Sequence, residues 1–290
     1  MKNKIAILSD VHGNLTAFEE VLKDAKNKNV TEYWFLGDIF SPGPGAQKLW
    51  DLLIQHNPSV CIRGNWDDLF VACAAGIVPT DDPTLVYISK LMQSVCKHLN
   101  NCEDVTKIIK NWPLQKIVKR NGLNIGIVHN LPEMNYGQRL YPTVEQKNFD
   151  ELFNEFKEGR QLDIVIYAHT HHPLLRYSSE EQLVINPGSI GQPFSNWKKL
   201  QTDLRAQYII LEIDSHGIAN VEFQKVSYDY KKEAAYAKAL DLPYLELYSA
   251  QLETGEAHTH DQKLLHQLNL DRGYLNDVIR YNANQRKKFS

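Results

Sequence analysis

Six short runs, KIAILS, EYWFLG, SVCIRG, LNIGIVH, LDIVIYA and QLVIN, are continuously apolar and rich in β-branched and aromatic residues. Continuous runs, unlike alternating ones, are those of strands covered on both faces. A chain with such strands must lay helices over its sheets. Leu15 to Lys28 fits that part, because its apolar Leu15, Phe18, Val21, Leu22 and Ala25 recur at helical spacing. The fold class is therefore a layered α/β one. Two later runs, AQYIILEID and IANVEFQKVSYD, flank Ser215-His216-Gly217 and read as a hairpin that completes a second sheet.

Five of the six runs end on residue types that bind metal ions: KIAILS on Asp10 and His12, EYWFLG on Asp38, SVCIRG on Asn65, LNIGIV on His129, and LDIVIYA on His169 and His171. In open α/β sheets ligands gather outside the carboxyl ends of strands, so these side chains are expected to converge despite their distance in sequence. Taken singly, an Asp or Asn after a strand is a turn residue or a helix cap. Turns do not require histidine, however, and four of the 11 histidines follow buried strands directly. The set points to one site.

The chain of 290 residues is long enough for one large domain with additions or for two modest ones. Its 43% hydrophobic and 23% charged residues are those of a soluble globular protein, and no apolar run approaches the roughly 20 residues of a membrane span. At the start, MKNKIAILSD, Asp10 interrupts the apolar hexad too early for a leader peptide, so a cytoplasmic protein is expected. Cys61, Cys73, Cys96 and Cys102 show no CxxC spacing and are expected as buried free thiols. The net charge of -3 gives no footprint for nonspecific nucleic-acid binding, and the basic end NQRKKFS reads as a solvated helix end.

In order, SDVHGN, LGDIFSPGPG, RGNWDD, IVHN and AHTHHP resemble the signature of the calcineurin-like metallophosphoesterases, which is Asp-x-His, Gly-Asp, Gly-Asn-x-Asp/Glu, a His after a strand, and Gly-His-x-His. NPGSIGQPF and LRAQYIILEID are also similar to streptococcal-type phosphodiesterases that cleave dinucleoside polyphosphates asymmetrically. The resemblance implies a four-layer α-β-β-α sandwich of two mixed sheets with two divalent metal ions. Carried over, Asp10, His12 and His171 would hold the first ion, Asn65, His129 and His169 the second, and Asp38 would bridge them. A carboxylate with two oxygens suits ions about 3.5 Å apart. His169 and His171, at i and i+2 of an extended segment, would point the same way, with Thr170 facing away. Mn²⁺ ranks first for this mixed donor set, with Fe²⁺, Co²⁺ and Zn²⁺ as alternatives. His12, Asp38 and Asn65 are the expected catalytic groups.

Some positions depart from the pattern. Trp66 stands where the family often has a histidine that protonates the leaving group, which leaves the general acid unassigned. Asp67, without that histidine to orient, is expected to cap the next helix or to bond within its loop. Ala168 replaces the common Gly before the His pair. GDIFSPG and GNWDD lack the protein-phosphatase residues, which disfavours a phosphoprotein substrate. Trp66 and Asn130 are the expected substrate contacts, Trp66 as a face for a nucleobase, with plain core packing as its alternative.

The reading is a metal-dependent phosphoesterase acting on phosphodiester or phosphoanhydride bonds of small nucleotides, with asymmetric cleavage of dinucleoside tetraphosphate as its finer form. The alternatives are a binding or scaffold protein on a degenerate phosphoesterase fold and a metal-dependent nuclease. The phosphoesterase domain is placed at 1–230 with a helical insertion at about 70–113 that either sets access on the site's rim or only covers the sheet. Residues 231–290 form a helical extension that packs on the sandwich, covers the site or makes a homodimer.

A second Ala-His-Thr-His, residues 257–260, follows no buried strand and precedes DQKLLHQL, which has helical spacing. There it reads as a helix start, with Thr259 and Gln262 as a capping box.

Overall fold

The computed structural model describes residues 3–157 and 161–289. Met1, Lys2 and Ser290, the outer ends of two stretches read above, lie outside the described residues. The chain begins with alternating strands and helices: β1 (Asn3–Leu8), α1 (Leu15–Asn27), β2 (Glu32–Phe35), α2 (Gln47–Gln55) and β3 (Val60–Cys61). Three helices follow without a strand, α3 (Asn65–Ala74), α4 (Pro83–His98) and α5 (Cys102–Lys110), and supply the expected insertion. Asp82 starts α4 by accepting from Thr84 N, with Pro83 at the first helical position where its missing N–H costs nothing.

Then come β4 (Gln115–Arg120), β5 (Leu123–Val128), α6 (Gln146–Leu152), β6 (Ile164–Ile166), β7 (Leu174–Tyr177) and β8 (Leu183–Asn186). The short α7 (Lys198–Gln201) leads into the hairpin of β9 (Ala206–Asp214) and β10 (Gly217–Val226). Four helices close the chain, α8 (Tyr230–Ala239), α9 (Leu245–Thr254), α10 (Gln262–Asp271) and α11 (Tyr274–Phe289). Among the described residues no helix is long and apolar enough to cross a membrane.

Two mixed five-stranded sheets result, ordered β10-β9-β1-β2-β3 and β4-β5-β6-β8-β7. The hairpin of β9 and β10 does not complete the second sheet, as its place in the sequence suggested. It joins the first, β9 pairing antiparallel to β1 with Ile5 opposite Leu211. The second sheet is completed instead by β4 and β7, whose polar, half-buried faces hid them from a search for apolar runs.

Alternation along the strands explains the layers. Ile5 and Ile7 of β1 face Ile125, Ile127, Ile164 and Ile166 of the other sheet in the central core, together with Trp34, Ile209 and Leu211. Ala6 and Leu8 turn outward to a core that includes Phe18, Val21 and Leu22 of α1 and residues from the insertion and the terminal helices. Beyond the second sheet, Val165, Tyr167 and Val184 pack on Phe149 and Leu152 of α6. Each sheet is thus covered on both faces, which is why its central strands read as unbroken apolar runs.

The expectation of four free thiols is corrected at one pair. Cys96, near the end of α4, and Cys102, at the start of α5, are joined as a disulfide with Cα atoms 5.1 Å apart, across the short turn between the helices. Cys61 and Cys73 are free.

Candidate metal centre

β1, β2 and β3 run parallel in one sheet, as β5, β6 and β8 do in the other, so their carboxyl ends open on one edge of the sandwich. The turns there bring the seven predicted residues together. His12 Nε2 lies 3.2 Å from His171 Nε2 and 3.9 Å from Asp10 Oδ1, which is itself 3.2 Å from His171 Nε2. Beside this group, Asn65 Oδ1 is 3.1 Å from His129 Nε2 and 2.9 Å from His169 Nδ1. Asp38 stands between the two, its Oδ2 3.7 Å from His12 Nε2 and 3.3 Å from His129 Nε2. Neighbouring donors held at about 2.1 Å from one ion sit about 3 Å apart, the spacing seen here.

The proton inventory shows why these atoms need cations. The Nδ1 atoms of His12, His129 and His171 are 2.8, 2.6 and 2.7 Å from the backbone carbonyls of Ser41, Leu36 and Gln192. A carbonyl only accepts, so each Nδ1 carries the hydrogen and each ring turns its Nε2 inward, where it offers a lone pair once the ring is neutral. Those lone pairs meet one another and two buried carboxylates, and neither oxygen of Asp10 has a hydrogen-bond partner. Acceptors packed on acceptors in a dry site repel unless positive charge lies among them. The donor set fits divalent ions.

Asp38 does not turn its two oxygens to the two groups, one to each, as expected of a two-oxygen bridge. Its Oδ1 accepts from Trp66 N at 2.8 Å, so Oδ2 alone faces both groups. The close approach also explains Gly64, where a Cβ would fall 2.1 Å from Asp38 Oδ1.

The backbone that aims these side chains is strained. Asp10, His12, Asp38, His169 and His171 all have left-handed φ, between 49° and 64°, although none is glycine. Such residues cost of order 1–3 kcal/mol each and persist where surrounding contacts over-determine them. His169 and His171 therefore do not lie on an extended segment. They diverge through consecutive turns, while Thr170 does point away, to Asn186.

The contacts that hold this conformation come from several segments. His12 N and Gly13 N donate to Asp38 O and Ile39 O. Asp67, in the first turn of α3, accepts from Gly64 N and so caps the start of that helix, as expected, and it also reaches Asp38 N and Ile39 N in the turn after β2. Ser189 donates its hydroxyl to Asp10 O, Gly191 N donates to the same oxygen, and Gln192 O orients His171. The roles of Ser189, Gln192 and the third contact of Asp67 escaped sequence reasoning, since NPGSIGQPF carries only a resemblance and no ligand type.

Trp66 is 9% exposed and sets its ring edge-on to His12 at 5.2 Å. Asn130 is fully buried and donates to Tyr136 O at 2.6 Å and to Gly137 O, which fastens the loop after His129. That loop carries Tyr141 to 3.4 Å from His172, and Asn196 donates to the Tyr141 hydroxyl.

The electrostatics of the metal-free site follow from the same crowding. Burial opposes a charge on His129, but Asp38 and then Asp10 outweigh it and push its pKa up to about 10. His171 is raised as well, chiefly by Asp10 against the cost of burial. His12 and His169 are lowered to about 4, with burial the largest cause. His129 thus holds a proton at neutral pH that an ion must displace. Binding should release protons and weaken as pH falls below these raised values, which calorimetry in buffers of different ionisation enthalpy would register.

The second Ala-His-Thr-His stands apart. His258 and His260 lie in the turn before α10, and neither joins a group able to hold an ion among the described residues. The helix start is confirmed but its cap is corrected: Asp261 accepts from Leu264 N, and Thr259 instead offers its carbonyl to Thr84. Replacing both histidines by alanine should leave metal content unchanged and turnover within a few-fold. Loss of one metal equivalent in elemental analysis would contradict this.

Several known proteins are similar to this chain in sequence or in fold. The chain is 26% identical over 262 residues to an uncharacterized protein of Methanocaldococcus jannaschii, covering 82% of this chain and 92% of that one. A metallophosphoesterase from Sphaerobacter thermophilus superposes with a TM-score of 0.66 at 25% identity, over 87% of this chain and all of the other. A hypothetical protein from Pyrococcus horikoshii OT3 gives 0.67 at 19% identity, over 88% and 99%, and so shares the fold. The profile of the calcineurin-like phosphoesterase superfamily domain matches residues 3–216, and the chain belongs to that superfamily.

Proposed function

We propose that this protein is a phosphoesterase that uses two divalent ions to hydrolyse phosphodiester or phosphoanhydride bonds of small nucleotides. The observation that carries the reading is the set of inward Nε2 atoms, each ring fixed by a backbone carbonyl at Nδ1, meeting two buried carboxylates. Asp10, His12 and His171 would hold one ion, Asn65, His129 and His169 the other, and Asp38 both. Bound there, two divalent ions turn water into a nucleophile at neutral pH and offset the charge of a phosphate. Mn²⁺ is the proposed metal.

The finer reading concerns the leaving group. Trp66, in place of a histidine, has no proton to give the departing oxygen, and a general acid typically contributes about 10² to 10⁴-fold. Departing groups that are already stable as anions are then favoured, among them nucleotide phosphates and nitrophenolate. Dinucleoside tetraphosphate, cut into a nucleoside triphosphate and a monophosphate, is the proposed substrate. A metal-dependent screen across phosphomonoesters, aryl phosphodiesters, cyclic nucleotides and dinucleoside polyphosphates, with chromatography of the products, tests both levels. Two equal diphosphates would refute the asymmetric cut. Alkyl monoesters turning over faster than any anhydride or aryl diester would refute the leaving-group argument.

A further inference from the structure

We infer that the carboxyl-terminal helices form part of the metal centre's support, with Glu233 of α8 as the positioning residue for the turn that carries Asp10 and His12. The inference rests on the metal-centre reading above. The turn from Asp10 to Asn14 has three left-handed residues, Asp10, His12 and Gly13, so its shape depends on what grips it. One side is gripped by the carbonyls of Gly37, Asp38 and Ile39, which accept from Asp10 N, His12 N and Gly13 N. The other side is gripped from more than 200 residues away.

Glu233 is fully buried, and its Oε2 accepts from Thr16 N at 2.9 Å and from the Thr16 hydroxyl at 2.6 Å. Thr16 lies in the first turn of α1, whose opening N–H groups have no partner within the helix and favour a negative charge. Asn14 closes the same turn, its Oδ1 taking Ala17 N while its Nδ2 donates to the Tyr228 hydroxyl, just before α8. Tyr248 of α9 donates to Glu233 Oε1, and its hydroxyl lies 2.6 Å from the place a Cβ would take on Gly43. Gly43 N in turn donates to His12 O. A buried carboxylate is costly unless it is fully hydrogen-bonded, and here its bonds converge on the start of the helix that follows the two ligands. The grip reaches the turn of Asp10 and His12 and, among the described residues, makes no hydrogen bond to Asn65, His129 or His169, so its effect should fall chiefly on one of the two ions.

The test is stepwise Mn²⁺ binding to the full chain by calorimetry, alone and with Asn65→Ala, which removes the second site and isolates the first. Glu233→Ala should weaken binding at the first site at least tenfold and at the second less than threefold. In the Co²⁺ form, Glu233→Ala should also shift the visible absorption of the first ion alone. Glu233→Gln and Tyr248→Phe, which keep the packing, should give the same selective loss in smaller measure, so a misfolded alanine variant does not decide the matter. Equal weakening of both sites, or unchanged binding in all three variants, would overturn the inference while leaving the metal centre standing. A parent chain that binds no divalent ion would overturn both.

Discussion

Replacing Asp38 by alanine should abolish turnover and empty both metal positions together. Its Oδ2 faces His12 on one side and His129 on the other, at 3.7 and 3.3 Å, nearer to each than Asp10 Oδ1 comes at 3.9 and 4.0 Å. Lewis-acid stabilisation by a bound ion is worth several kcal/mol, so losing roughly 4 kcal/mol lowers the rate about 10³-fold or more. His129→Ala should act more locally and deplete chiefly the position shared with Asn65 and His169. Elemental analysis of purified variants, beside turnover of an aryl phosphodiester, separates the two cases. Full two-metal occupancy in Asp38→Ala would defeat the bridging role.

Asp67→Ala should cost more stability than any other single change at the site that spares the ligands. The carboxylate is 1% exposed and accepts three backbone N–H groups, at 2.8 Å from Gly64, 2.9 Å from Asp38 and 3.2 Å from Ile39. Without it those donors are left unpaired in the interior, at a total of about 3 kcal/mol or more. For a chain of this size that is a fall in Tm on the order of 6–12 °C. The strained Asp38 turn should loosen as well, so metal affinity should drop with stability.

In the metal-free protein the same group ties stability to pH. Burial first, and the neighbouring Asp38 second, push Asp67 from 3.8 up to about 7. The folded state therefore holds this proton where the unfolded chain has lost it, so the contribution to stability is greatest in acid and declines as pH rises from about 4 to about 7. Asp67→Asn, which keeps an acceptor but cannot ionise, should flatten that slope. Urea midpoints with a chelator present, compared at pH 5 and pH 7.5, measure it, and an unchanged slope would assign the pH dependence to other groups.

The ligands were legible because they sit where buried strands end. A continuous apolar run can be read from sequence, and the residue that follows it is placed at the sheet's edge by the strand itself, as with Asp10 after β1 and His129 after β5. The same logic failed for the hairpin β9–β10. Its pattern shows that two strands pair with each other but not which free edge receives them, and β1 offered that edge. β4 and β7 went unseen because β4 carries charged residues on a mostly half-buried strand and β7 alternates half-buried with exposed residues, so neither shows a long apolar run.

What the sequence determined by itself was the set of chemical types: seven donors in a fixed order, a tryptophan where a proton donor is common, and apolar strands enough for two covered sheets. Only the tertiary structure decided how those donors are used. That Asp38 faces both groups through one oxygen, that His169 and His171 have left-handed backbone, and that Glu233 grips the start of α1 all depend on backbone groups supplied by distant segments. Backbone N–H and C=O groups are the same in every residue, so a sequence does not mark which of them will be left to meet a side chain. Packing settles that, once the strands have met.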